Sequence, residues 1–375
     1  MRRFPYLLSL SISVLAPLVA CGPKADSGED TADTSDVIDT GETGDTGEPD
    51  DTGEPDDTGT QAPDVQPPSP AEFQALVDDA REQLTQTFTA EVGHFTEIQG
   101  AQGTRVVFSQ NSLVHADGTP VYGEVSYELI EIYSKGEMLV TDMPSTGRLP
   151  NGDIAQLISG GEHFVNATQN GENLVQAAWF YLEAPVENTG GVDAEMGMFR
   201  PAPEEGVEDD ADAGEDFADG AWVEEEAEFG INEKDRNGEG GAVAESYWTL
   251  SSEFGWTNID RWYSDTRPKT EIHIDVPAGW DDTNCAVYLS YDGEPTALAQ
   301  MDTYDDATEL FSEHYGLIPI GLEVHVIFVT ESEGDWSYAI QGVTIEEDHL
   351  SIFDAPENFI STDLEGLTAA INALP

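Results

Sequence analysis

Beyond Phe88 the apolar residues of this 375-residue chain leave helical spacing and alternate with polar ones. A period of two suits half-buried β-strands, whose successive side chains point to opposite faces. Residues 104–108, 121–133, 138–142 and 162–168 all read this way. Asn170-Gly171 then supplies the left-handed pair of a two-residue hairpin, leading into a strand over 174–182. The same pattern returns further on. Ile272, Ile274 and Val276 point one way while Glu271, His273 and Asp275 point the other, so this strand has a wet face. Residues 324–330 form a more continuous apolar strand, and 336–341 and 343–345 follow. Short strands at this spacing predict a mainly β protein made of two antiparallel β-sandwich domains.

Short flanking helices complete the expected fold. Ser69-Pro70-Ala71-Glu72 combines a capping serine, a proline at the first helical position and a glutamate that closes the box. Phe73, Leu76, Val77, Ala80 and Leu84 then share one face. Near the C-terminus Thr362 and Glu365 read as a second capping box, ahead of Leu364, Leu367, Ile371 and Leu374 at helical spacing.

Ahead of the first helix the composition changes. Arg2 and Arg3 precede an apolar run from Tyr6 to Val14, and small or aliphatic residues lead into Leu18-Val19-Ala20-Cys21. This is the grammar of a signal peptide, too short for a stable membrane span. The stretch resembles the lipobox of bacterial lipoproteins, which implies cleavage before Cys21, a diacylated thiol and usually an acylated amino terminus. Two or three acyl chains, palmitate among them, anchor a protein stably to the bacterial membrane where one does not. Gly22 follows the cysteine in place of an aspartate, which favours the outer membrane. Asp-Thr-Gly-Glu-Pro-Asp is repeated at 45–50 and 51–56 in a stretch with almost no apolar residues, so an extended, disordered acidic stalk is expected. The expected organisation is a signal peptide over 1–20, the lipidated stalk over 21–69, a helix and first sandwich over 70–185, an acidic linker over 186–245, and a second sandwich with its C-terminal helix over 246–375. Within the linker, Met196, Met198 and Phe199 with Trp222-Val223 read as a crossing hairpin.

Charge narrows the partners. Thirteen Lys+Arg face 76 Asp+Glu, a net charge of −63, which excludes nucleic acid and anionic bilayer surfaces as ligands. With Cys21 lipidated only Cys285 remains, so no internal disulfide forms, and Cys285 reads as a small buried thiol.

Downstream motifs carry a second resemblance. Gly100-Ala101-Gln102-Gly103-Thr104, Asn111-Ser112-Leu113-Val114, Asp117-Gly118-Thr119-Pro120-Val121, Gly123-Glu124-Val125, Glu128-Leu129-Ile130-Glu131-Ile132-Tyr133, Ile158-Ser159-Gly160-Gly161-Glu162, Ala167-Thr168-Gln169-Asn170-Gly171 and Phe254-Gly255-Trp256-Thr257-Asn258-Ile259-Asp260-Arg261 resemble a family of uncharacterised bacterial cell-envelope lipoproteins with two β-sandwich-like domains. The resemblance implies a β-rich surface or periplasmic lipoprotein whose first domain is similar to prealbumin-like accessory sandwiches. No activity comes with it.

Reaction motifs are missing from the letters. Leu157 stands where a nucleophile elbow needs its first glycine, and there is no His-Glu-x-x-His, zinc cysteine pair or phosphate-cradling loop. Glu233, Asp235, Asn237 and Gly238 imitate a calcium loop whose closing position falls on Ala244. His273 between Glu271 and Asp275, and His325 near Glu323, read as solvated strand faces. No catalytic residue, metal or cofactor is therefore expected. One cluster stands out: Trp256, Asn258, Asp260, Arg261 and Trp262, either an aromatic platform for sugar rings or a structural Asp260–Arg261 ion pair over packed tryptophans. The expectation is a lipid-anchored binding or structural protein whose partner is a glycan or an envelope protein. The alternative is an envelope hydrolase whose carboxylates or histidines converge only in three dimensions.

Overall fold

In the computed structural model, which describes residues 65–202, 220–232, 245–313 and 318–375, order begins where Ser69 caps helix Pro70–Leu84. The Ser69 hydroxyl accepts from the Glu72 amide, and the Glu72 carboxylate accepts from the Ser69 amide at 2.8 Å. The signal peptide, Cys21, the stalk, the calcium-like stretch from Glu233 and most of the acidic loop after Pro203 lie outside the described residues. Strand outweighs helix, 48% to 13%, and the sheets are largely antiparallel, so the protein is mainly β.

The first sandwich packs two sheets. Its large sheet runs, in spatial order, Gln86–Glu91, Glu124–Ile132, Ile154–Gln169, Gly255–Trp262, Gly197–Pro201, Trp222–Glu225 and Thr146–Arg148. Because Thr146–Arg148 also pairs with Ile154–Gln169, the pairings close into a five-strand ring, which a 16-residue strand is long enough to permit. The small sheet runs Phe229–Asn232, Ser246–Ser251, Phe180–Pro185, Arg105–Phe108 and Thr96–Gln99. Phe108, Tyr127, Leu129, Val165, Leu182 and Ile259 meet between them.

The second sandwich sets Leu298–Gln300, Cys285–Tyr291, Glu323–Ser332, Asp335–Thr344 and Ile360–Thr362 against Thr303–Asp305, Leu310–Ser312, Ile272–Asp275 and His349–Ile352. Val287, Leu289, Val326, Phe328 and Phe353 fill this core. Ile272–Asp275 keeps its wet face, with Ile272 and Ile274 buried and His273 and Asp275 half-buried. Cys285–Tyr291 is buried along its whole length because its other face is covered too.

That cover is a helix layer. Helices Pro70–Leu84, Lys135–Val140 and Leu364–Asn372 share one apolar cluster with Ile130, Ile132 and Trp256 of the first sandwich and Tyr288, Ile327 and Trp336 of the second. The helices expected at the edges therefore lie between the sandwiches. Phe73 sets its ring against Trp336, and Asn372 Oδ1 accepts from the Gly136 amide at 2.8 Å. Gly136 is required there, since a Cβ would lie 2.5 Å from the Thr368 carbonyl oxygen.

Four expectations change. Residues 138–142 do not form a strand: Ser134 and Glu137 build a capping box, and the apolar run Met138-Leu139-Val140 is buried in a helix, an ambiguity that short apolar runs carry. The stretch 174–182 is broken: Glu172–Asn173 pairs with Ile154–Gln169 in the large sheet, Val175–Gln176 pairs with Leu113–Val114, and Phe180–Pro185 enters the small sheet. The C-terminal helix is capped by Asp363, whose carboxylate accepts from the Gly366 amide. Finally, the boundary expected at 245/246 falls inside the first sandwich. Ser246–Ser251 pairs with Phe180–Pro185, and Gly255–Trp262 pairs with Ile154–Gln169. The expected crossing hairpin does form, Gly197–Pro201 against Trp222–Glu225, but as part of the large sheet.

Candidate functional site

The singled-out cluster sits on Gly255–Trp262, whose register against Ile154–Gln169 shifts once. Asn258 faces Glu162, yet Asp260 faces Ser159, so Gly160 and Gly161 oppose the single residue Ile259. This is a β-bulge. Ser159 and Glu162, three apart, would point to opposite faces of a regular strand; the bulge brings both to Asn258. Gly161 holds φ at +126°, and a Cβ there would collide with the Tyr133 ring.

The result is a sealed polar knot. Ser159 Oγ donates to Asn258 Oδ1 at 3.1 Å, and Asn258 Nδ2 donates to Asp260 Oδ2 at 2.7 Å and reaches Glu162 Oε1 at 3.5 Å. Asn258, Asp260 and Glu162 have no solvent exposure, and Asp260 Oδ1 and Glu162 Oε2 lack hydrogen-bond partners among the described residues. Burial raises both carboxyls well above their usual range; the mutual repulsion adds to it for Glu162, while Ser159, Asn258 and the Gly160 amide oppose it for Asp260. At zero exposure and with an oxygen unpartnered on each, protonation is what lets these groups remain dry.

Glu131, nearby, is treated differently. Its carboxylate accepts from the Thr104 and Gln102 amides and from Gln86 Nε2 at 2.8–2.9 Å. The Gly100–Thr104 motif wraps this carboxylate so closely that any side chain at Gly100 would strike it. Across the strands from Glu131 and on its face of the sheet, His163 Nε2 meets the Tyr133 hydroxyl at 2.9 Å, and burial pulls the imidazole down to about 4.

Arg261 does not pair with Asp260. Its Nε donates to Asp193 Oδ2 at 2.6 Å on the opposite side of the strand. Trp256 is buried against Phe164, their centroids 5.3 Å apart, and Trp262 stacks edge-on to Phe199 and donates Nε1 to Glu224 Oε2. Three of the five residues thus enter the interior and none forms an open aromatic platform.

A second set of letters converges in the other sandwich. Asp292 Oδ1 lies 2.7 Å from His325 Nδ1, Ser290 sits opposite His325 across the strands, and Lys135 Nζ donates to Ser290 Oγ at 2.7 Å. The His325 ring leans over Gly342, where a Cβ would lie 3.1 Å from Nε2, while Ser290 is fully buried beneath Lys135. The hydroxyl is thus committed to the lysine. His273 comes within 3.8 Å of Glu271, and no group of three or more His, Cys, Asp or Glu side chains suited to a metal occurs among the described residues. Cys285 is buried, which raises its thiol pKa well above the usual value.

Where the sandwiches meet there is open space. A cavity of about 100 Å³ is bounded by Thr146 and Gln156 of the first sandwich, by Tyr263 and Lys269, and by Tyr291 and Ala299 of the second. Gln156 Nε2 donates to Ser145 O, Ser145 Oγ and Leu157 O, all within 2.9 Å, which fixes the amide and leaves Oε1 without a donor. Among the described residues, Thr146 Oγ1 is also buried without a partner.

In comparisons with known proteins, no family model and no curated sequence matches the chain. Sequence reasoning reached Asn258 and Asp260 but gave no role to Ser159 and Glu162. The signal was present, since paired glycines inside a strand mark a bulge. Nothing in the letters singled out Thr146 or Gln156.

Proposed function

We propose that the chain is a lipid-anchored binding or structural protein of the bacterial cell envelope, held at the outer membrane through Cys21 and carrying its sandwich pair on the acidic stalk. The observation behind binding rather than catalysis is a contrast in access. The carboxylates and the serine that chemistry would use are sealed at zero exposure, whereas a cavity of about 100 Å³ stands open where the sandwiches meet. A glycan or an envelope protein is the partner class, and the high negative charge argues against nucleic acid. Fractionation tests the tether: wild type should sediment with outer membranes, and full-length Cys21→Ser should become soluble. A variant that stays in the pellet contradicts the anchor.

An envelope hydrolase is the second reading, favoured by the Asp292–His325 pair, whose side chains are about one-fifth exposed. Turnover of chromogenic esters or glycosides that His325→Ala abolishes would support it over binding.

A further inference from the structure

The outer face of the small sheet carries an aromatic cleft that strand pairing builds. Thr96, Phe108 and Phe180 lie in one row and are buried, so their neighbours in sequence turn outward. On one side of that row Val107 sits between Glu97 and Tyr181. Continuing the ladder by one residue the other way sets the small Ser109 between Phe95 and Trp179. Two strand spacings, about 10 Å, separate those two aromatic residues. Phe95 is 74% exposed and Trp179 56%. Single exposed apolar side chains are ordinary, but two aromatic rings flanking a serine form a patch.

The adjoining part of the face is stiff. Tyr181 lies between the Arg105 guanidinium, 5.8 Å from its ring centroid, and the Trp248 ring, 6.0 Å away with the planes 23° apart. Trp248 is backed by Gly230, where a Cβ would fall 2.6 Å from the indole Cε2 and Nε1. Arg105 is held in turn by Glu97 at 2.9 Å and Glu183 at 3.2 Å. The stack gives the cleft a fixed hydrogen-bonding rim whose cation is already matched.

Charge and spacing select the occupant. Phe95, Trp179, Val107 and Ser109 carry no charge, in a chain whose net charge is −63. Another copy of the chain or an anionic polymer would be repelled, and a cation would meet carboxylates already paired with Arg105. A flat ring between two aromatic faces needs two van der Waals contacts, about 7–8 Å, which the wall spacing accommodates. A sugar ring offers apolar C–H faces to the walls and hydroxyls at its edge to Ser109 and the ion pair. Stacking on both faces requires every hydroxyl to lie near the ring plane, because an axial one would strike a wall.

We infer that this cleft binds a sugar ring of a neutral glycan with all-equatorial hydroxyls, held between Phe95 and Trp179 with its edge bonded to Ser109 and the Arg105–Glu97 pair. This deepens the binding reading and rests on it.

Titration calorimetry on the intact chain with cellohexaose and chitohexaose, two neutral all-equatorial oligosaccharides, tests this. Saturable binding of at least one is expected. Phe95→Ala and Trp179→Ala should each weaken it at least tenfold at an unchanged melting temperature, since both rings lie largely in solvent. Leu350→Ala, at an exposed position of the second sandwich, should bind as wild type does. The inference is overturned if neither oligosaccharide saturates, if Leu350→Ala weakens binding as much as the aromatic substitutions do, or if mannohexaose, with an axial hydroxyl on each ring, binds as tightly. Binding that survives both aromatic substitutions would refute this cleft as the site and leave the binding reading standing. Cys21→Ser fractionation reads the anchor independently of either result.

Discussion

Arg261 Nε donates to Asp193 Oδ2 at 2.6 Å although Asp260 is its neighbour in sequence. Adjacent strand residues face opposite sides, so Asp260 is committed to the buried knot and Arg261 to the loop before Gly197. The Asp193 amide in turn donates to the Tyr247 hydroxyl at 2.6 Å, which pins that loop. Because the arginine and aspartate side chains are 22% and 35% exposed, Arg261→Ala should cost about 1 kcal/mol or less, as partly exposed ion pairs do. Urea unfolding measures it. A loss of several kcal/mol would mean that Arg261 compensates a buried charge.

Glu162 and Asp260 make a pH-dependent contribution whose sign follows from their raised carboxyls. Below the ordinary carboxylate range, near pH 3 or under, both folded and unfolded chains are protonated and the folded state loses nothing. As pH rises toward the raised folded values, the unfolded chain ionises first and stability falls. Glu162→Gln and Asp260→Asn remove the ionisation. Each should gain stability over wild type at pH 8, on the order of 1–3 kcal/mol, with little difference at pH 4. Equal effects at both pH values would contradict the protonated knot.

His163 acts in the opposite direction. Its imidazole is pulled down to about 4, so between roughly pH 6.5 and 4 the unfolded chain takes a proton that the folded chain refuses. Stability on the acid side therefore falls by on the order of 3 kcal/mol across that window. An NMR titration of the folded protein should find one imidazole still neutral at pH 5. Normal titration of every histidine near 6.5 would exclude the buried, neutral His163.

Strand grammar was legible because period-two alternation survives wherever one face of a sheet is wet, as in Ile272–Asp275. It was weakest at Met138-Leu139-Val140, where a six-residue helix caught between two sheets is buried on nearly every side and shows no period. Composition also misplaced the domain boundary. Acid and glycine around 204–245 read as a linker, but Trp222 is fully buried and its Nε1 donates to the Pro144 carbonyl at 3.0 Å, so the flanking strands are structural. The Asn258–Asp260 cluster was found from its letters. Its partners Ser159 and Glu162 needed the bulge, which Gly160-Gly161 marks locally although the strand facing it is set by long-range register.

Gly136 tests the helix layer. Its Cβ position meets the backbone of Thr368, which cannot swing aside as a side chain can. Gly136→Ala should therefore destabilise by about 1–3 kcal/mol despite alanine's better helix propensity. A stabilised variant would show that the two short helices do not pack as closely as this.

The tether through Cys21 underlies the proposed role, and intact-mass analysis of the amino-terminal peptide from membrane-extracted protein tests it most directly. The expected peptide begins at Cys21 and carries a diacylglyceryl group, with or without a third acyl chain on its amine. An unmodified Cys21, or a peptide that continues through it from Ala20, would contradict the account.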